Sequence, residues 1–253
     1  MVSLDAQFTL NTPDNLVFEA TQDVRDIFTD DHENLYFITA TEVLWKMDRK
    51  TGEIFSHKPV FPIKNIQTYN PFFLSYTNDL LQIVILDSKL NPIREDVYLF
   101  KHGNWIPGAT IILDYDILAT VDRNSKSLVL FDYRNEKIIR RVNLPDEINI
   151  NEILRITYSQ KILHLYTHEQ VYHFDFFLQP FAISDHLAGS DFMGRRYLRQ
   201  NQNTMEVLEL GKTAVQHTIQ ADCTPTQSRL LRNGVFVLCE NLVYFYPFIT
   251  QKP

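Results

Sequence analysis

Three histidines, His164, His168 and His173, lie within one short stretch of chain, and imidazoles so spaced invite a metal-site reading. A structural or catalytic zinc site needs at least three convergent ligands. Strand parity puts His164 and His168 on one face, whereas His173 falls beyond a turn, so the spacing predicts surface or rim imidazoles and no metal site. Asp114 with Asp116, and Asp30 with Asp31 and Glu33, could act as paired carboxylates for calcium or acid and base chemistry. Neither set has the loop spacing of an EF-hand, and Asp in a turn ordinarily accepts hydrogen bonds from backbone N–H groups. The two cysteines, Cys223 and Cys239, are too few for a disulfide framework. Cys239 follows the apolar run Val235–Leu238, which favours a free buried thiol, with a single bridge in an oxidising space as the alternative. Gly-rich phosphate loops, Gly-x-Ser-x-Gly, His-Glu-x-x-His and Cys-x-x-Cys are all absent. The residues therefore predict no catalytic, cofactor-binding or metal-binding centre.

The elements that would carry any site are set by an internal repeat. A strand, a polar turn and a second strand ending on Asp recur at 34–48, 72–87, 117–132 and 162–175, with weaker copies at 196–210 and 234–246. The closing residues Asp48, Asp87, Asp132 and Asp175 are 39, 45 and 43 residues apart, the length of a propeller blade. A few turn formers and a short apolar strand after each closing residue (51–55, 90–93, 134–139, 178–181) supply an outer strand, and Pro-bearing loops such as 58–62 cross to the next sheet. The 18 Phe and 12 Tyr, mostly within runs of Ile, Val and Leu, suit strands. The expectation is an all-β chain: one domain over 1–253, a six-bladed β-propeller with short blades near 23–57, 63–100, 109–144, 153–181, 192–219 and 228–248. Apolar material at 8–18 closes the ring, removing an exposed sheet edge. Only 7 glycines are available for positive φ, so Asn and Asp turns at 30–34, 77–79 and 123–125 are expected to replace them. The recurring Asp residues themselves read as turn formers.

The net charge of −7 supplies no cationic excess for phosphate or anionic lipid, which argues against nucleic acid; Arg195, Arg196 and Arg199 read as a solvated rim. No stretch approaches the roughly 18 apolar residues of a spanning helix, so no direct membrane insertion is expected. The start Met1–Gln7 lacks the charged and apolar regions of a signal peptide. Ala6-Gln7 matches a trimmed mature end as well as an internal stretch of a cytoplasmic start.

The segment Tyr69-Asn-Pro-Phe-Phe-Leu-Ser-Tyr-Thr-Asn-Asp-Leu-Leu-Gln-Ile-Val-Ile-Leu-Asp-Ser-Lys-Leu90, with Val121-Asp122 through Phe131-Asp132 and Tyr172–Leu178, resembles a family of small exported propellers of Bacteroidota. The similarity runs over residues 20–181 and rests on short structural motifs. It implies a non-catalytic periplasmic, outer-membrane-associated protein that binds a larger membrane protein or secretion complex, in one form as the plug subunit of the type 9 secretion translocon. Such a module would present an apolar contact loop. The irregular segments at 100–107 and 185–194 name Trp105, His102, Phe192 and Met193 as partner-binding residues. Two other readings compete. An enzyme or small-ligand binder would use the central channel, which calls for a converging polar set that the inner strands do not reveal; a cytoplasmic scaffold would begin at Met1.

Overall fold

In the computed structural model, which describes residues 16–30, 32–70, 73–78, 80–93, 97–99, 106–114, 116–186 and 191–248, the chain forms six four-stranded antiparallel sheets in a ring. The first blade comprises β2 (Val24–Thr29), β3 (Leu35–Thr39), β4 (Leu44–Met47) and β5 (Ile54–His57). The second holds β6 (Ile63–Asn70), β7 (Phe73–Asn78), β8 (Gln82–Asp87) and β9 (Val97–Tyr98). The third follows with β10 (Pro107–Asp114), β11 (Ile117–Asp122), β12 (Ser127–Asp132) and β13 (Lys137–Asn143). The fourth is β14 (Arg155–Ser159), β15 (Ile162–Tyr166), β16 (Gln170–Asp175) and β17 (Pro180–Asp185). The fifth contains β18 (Asp191–Met193), β19 (Arg196–Asn201), β20 (Thr204–Glu209) and β21 (His217–Gln220). The sixth takes β22 (Gln227–Leu230), β23 (Gly234–Cys239) and β24 (Leu242–Pro247) from the end of the chain and β1 (Leu16–Glu19) from its start. β1 pairs with β24, so the ends of the described chain share a blade and the ring closes. The chain is a six-bladed β-propeller, and the repeat legible in the sequence is the central hairpin of each blade.

Side-chain alternation explains the core. A middle strand has a blade on each side, so both of its faces are buried and it reads as a continuous apolar run. On β12, Leu128 and Leu130 face the fourth blade, while Val129 and Phe131 face the second. On β3, Leu35 and Phe37 face the sixth blade, while Tyr36 and Ile38 face the second. Every seam between neighbouring blades holds its own apolar cluster. The cluster between blades four and five is the smallest, built on Tyr166, Val171, Phe192 and Leu210.

The recurring aspartates start turns, as their positions suggest. Asp48 Oδ1 accepts from the N–H groups of Lys50 and Thr51 at 2.9 and 3.0 Å, and Asp132 Oδ1 from those of Arg134 and Asn135 at 3.1 and 2.9 Å. Asp87 and Asp175 accept from residues two and four positions on. Burial tends to raise the Asp87 carboxyl, but bonds from Asn91 and Lys89 outweigh it and hold it below the usual carboxylate value. The expectation that Asn and Asp adopt the positive φ themselves is corrected. The left-handed residue comes three or four positions later and is Glu33, Leu81, Leu90, Lys126, Glu136 or Leu178. The Asx side chain ties down the turn that forces the unfavourable backbone, and Leu90 and Leu178 bury their side chains while adopting it. Asp87→Ala removes the carboxylate that accepts the Lys89 and Asn91 N–H groups on either side of Leu90 and is expected to cost about 1 kcal/mol, read as a lower urea midpoint at neutral pH; an unchanged midpoint would refute this role.

Two further expectations are corrected. The regular outer strand of blade two is Val97–Tyr98; the segment 90–93 meets β8 only in the Leu86–Pro92 bridge, flanked by bonds from Ile93 N–H to Ile85 O and from Asp87 N–H to Asn91 O. Cys223 and Cys239 are joined as a disulfide, with Cα atoms 6.2 Å apart, in place of the free thiol that the apolar run favoured.

Candidate functional site

The inner strands β2, β6, β14, β18 and β22 enclose a cavity of about 500 Å³ on the propeller axis. Blade three is set back from it. Asn65 on β6 donates from Nδ2 to the carbonyls of Thr110 (3.0 Å) and Ile156 (3.1 Å), and Gln67 donates from Nε2 to Tyr158 O at 2.9 Å. These side chains tie blade two to blade four in front of β10, which narrows the axial space on that side. On the opposite side, Gln227 of β22 accepts the Ile27 N–H at 3.1 Å and joins blade six to blade one.

A polar set converges in this cavity that the sequence reading did not find. Arg155 begins β14, Asp191 begins β18 and Arg229 lies on β22, and all three line the space with Lys161 at the turn after β14. The Arg155 guanidinium carbon lies 4.2 Å from the Tyr166 ring centre. Arg229 donates to Ser228 O at 2.9 Å and Gln227 Oε1 at 3.3 Å and lies 5.4 Å from the Phe28 ring centre. Asp191 Oδ2 accepts the Leu230 N–H at 2.8 Å, tying β18 to β22. Burial lowers the Arg229 pKa; Asp191 pulls it back up and Arg155 pushes it further down. The signal for this set was present once the blade register was known, because each residue occupies an inner strand.

Beside the cavity, a hydrogen-bonded ladder crosses blade four. Ser159 Oγ on β14 lies 3.3 Å from His164 Nε2, the two histidine Nδ1 atoms are 2.8 Å apart, and His173 Nε2 lies 2.9 Å from Ser184 Oγ on β17. Ser159 Oγ also accepts the Gly194 N–H at 2.8 Å. Both imidazoles are fully buried and pack on Phe192, so the expectation of rim imidazoles is wrong; His168 alone is exposed, in the turn. Burial first, then the charges of His173 and Arg155, holds His164 well below its ordinary pKa, and burial lowers His173 to about 4. Histidines so weakly basic are poor general bases for Ser159 at neutral pH. The ladder instead satisfies polar atoms at the seam with the smallest apolar cluster.

The carboxylate sets serve local structure. Buried Asp30 accepts from the N–H groups of His32 and Asn34, from Asn34 Nδ2 at 2.7 Å and from Tyr36 Oη at 2.9 Å, while Glu33 pairs with Arg49 at 2.7 Å. Asp31 lies outside the described residues. Asp116 pairs with Arg134 at 3.5 Å. Arg195, Arg196 and Arg199 are divided among different partners: Arg199 pairs with Glu206 at 2.6 Å, Arg196 donates to the carbonyls of Leu231 and Arg232, and Arg195 lies over Phe181.

Of the expected contact residues, His102 and Trp105 lie outside the described residues. Phe192 and Met193 are on β18, not in a loop, and both are buried, with Phe192 in the seam between blades four and five and Met193 in the next. Exposed apolar surface is found instead at the rim of blade four. Phe177 and Ile183 are 61% and 59% exposed, with Phe176 and Phe181 beside them on the same short stretch. The clue in the sequence was the outer edge strand, whose outward residues are apolar where solvent usually selects polar ones.

No family model and no curated protein matches the chain. Solved structures do. The chain is similar to the β-propeller domain of Cps50 (Swd1) from Myceliophteria thermophila, at 10% identity and a TM-score of 0.58, covering 93% of this chain and 99% of that one. It is similar to the Pan2 WD40 domain of Neurospora crassa at 10% identity and a TM-score of 0.53, covering 86% and 73%. It also resembles Raptor from Chaetomium thermophilum at 10% identity and a TM-score of 0.56, covering 91% of this chain and 24% of that one. At such identities the likeness establishes the propeller fold.

Proposed function

We propose that this chain is a non-catalytic, protein-binding propeller of the bacterial periplasm that docks on a larger outer-membrane complex, as a plug or accessory subunit of a type 9 secretion translocon. The observation that carries the protein-binding part is the solvent-facing apolar rim of blade four, where Phe177 and Ile183 lie open. The Cys223–Cys239 bridge supports an oxidising compartment, since cytosolic thiols are kept reduced. The resemblance of residues 69–90 to exported Bacteroidota propellers supports the translocon assignment.

Affinity purification of the tagged protein from its native envelope tests this reading. Stoichiometric recovery of a large outer-membrane protein is expected, and recovery of the chain alone would refute a stable-subunit role. The compartment has its own check. Protein trapped from intact cells is expected to show no maleimide-reactive thiol before reduction and two after it; two reactive thiols before reduction would favour the cytoplasmic scaffold.

A further inference from the structure

The protein-binding reading makes no use of the axial cavity, although two arginines face it. Among the described residues the Arg155 guanidinium makes no hydrogen bond and no ion pair within 4.0 Å; its contact is with the Tyr166 ring, 4.2 Å from the ring centre. Its five N–H donors are therefore uncommitted. Arg229 spends donors on Ser228 O and Gln227 Oε1 and makes no ion pair within that distance either. Asp191 and Asp26 are the carboxylates that act on Arg229; one Asp191 oxygen already accepts the Leu230 N–H, and Asp26 is paired with Arg25 at 3.1 Å and accepts from Gln227. In a chain of net charge −7, the cavity is lined by Arg155, Arg229 and Lys161 against Asp30 and Asp191, and Asp30 is consumed by Asn34 and Tyr36.

Two neighbouring guanidinium groups in a partly enclosed space repel each other and lose hydration, a cost that an anion between them would remove. A guanidinium fork matches a planar carboxylate in bidentate fashion. Phe28 and Tyr158 add aromatic wall to the same cavity, which suits an organic body better than a bare inorganic ion. Exposed Lys161 at the rim adds attraction for an approaching anion.

We propose that the channel mouth binds a carboxylate group of an organic ligand, with Arg155 as its principal clamp and Arg229 as the second cation. The carboxylate belongs either to a small organic acid or to an acidic peptide segment, and the site stands independently of the docking rim on blade four.

Isothermal titration calorimetry at constant ionic strength, with citrate, benzoate, inorganic phosphate and a tetraglutamate peptide as probes, tests the site. Saturable binding of one equivalent of a carboxylate probe is expected, weakened at least tenfold in Arg155→Gln and in Arg229→Gln, with phosphate the weaker ligand. Tighter binding of citrate or benzoate would identify a free acid as the source, and tighter binding of the peptide an acidic segment. The Arg155 guanidinium contacts the Tyr166 ring without a hydrogen bond or ion pair among the described residues, so Arg155→Gln is expected to melt close to the parent and keeps the test valid should Arg229→Gln fail to fold. Absence of saturable binding by every carboxylate probe, or equal affinity in Arg155→Gln, would overturn the proposal.

Discussion

Phe236→Ala is expected to destabilise the propeller by about 4 kcal/mol, the middle of the range for truncating a buried phenylalanine. Phe236 is fully buried on β23 and faces the seam where blade six meets blade one, among Ile27, Leu35, Phe37 and Val243. It packs edge-to-face on Phe245 at 5.6 Å, and the Arg49 guanidinium lies 5.5 Å from its ring centre and 3.9 Å from that of Phe245. The lost side chain leaves a cavity where the last blade depends on β1, a strand joined to the rest of its sheet only through β24. The loss should therefore have a local signature. Limited proteolysis of Phe236→Ala is expected to cut near 19–24 before the ring unfolds, whereas Phe174→Ala, equally buried between blades three and four, should cost a similar amount without early cleavage there. Equal cleavage in both variants would show that closure does not depend on this seam.

Acidification from pH 7 to pH 4 is expected to remove about 3 kcal/mol of stability through His173 alone. The buried ring has its pKa lowered from 6.5 to about 4. The unfolded chain takes up this proton below its ordinary value near 6.5, while the folded chain does not until about 4. Stability from this group is thus complete above the first value, falls progressively between the two and changes no further below the second. His164, also lowered by burial and by its neighbours, adds to the loss in the same direction. The turn aspartates Asp48, Asp87 and Asp132 have lowered pKa values and lose their contribution only at more acid pH, so the two processes separate. Urea midpoints at pH 7.0 and 4.5 are expected to differ strongly in the parent protein and clearly less in His173→Gln, which is itself less stable at neutral pH because His164 Nδ1 loses its partner. An undiminished pH dependence in the variant would assign the loss to other groups.

What the sequence disclosed and what it concealed follow from how far each feature reaches along the chain. The central hairpins and their closing aspartates were legible because the chemistry of an Asx turn is confined to about four residues. The six-bladed ring and its closure through Leu16–Phe18 followed from counting those units. Blade two's outer strand lies later than the composition of Leu90–Ile93 suggests, because the turn after Asp87, with Leu90 at positive φ, leaves that segment a single bridge to β8. The histidines were misassigned because parity was counted through the Thr167–Glu169 turn; the hairpin instead sets His164 opposite His173. The channel set stayed hidden for a different reason. Arg155, Asp191 and Arg229 come from the inner strands of three successive blades, and the repeat of the central hairpins does not fix the register of those inner strands. Phe192 and Met193 carried the composition of a contact loop, but chain pairing made them a short, buried inner strand.

The most direct measurement of the central claim is site-specific photocrosslinking in living cells, with a photoreactive phenylalanine placed at Phe177, at Ile183 and, for comparison, at Val60, an exposed apolar residue in the linker between blades one and two. A protein-binding rim on blade four predicts one discrete adduct with the same larger envelope protein from positions 177 and 183, and none from 60. Free monomer at both rim positions, or the same mixture of adducts at all three, would contradict it.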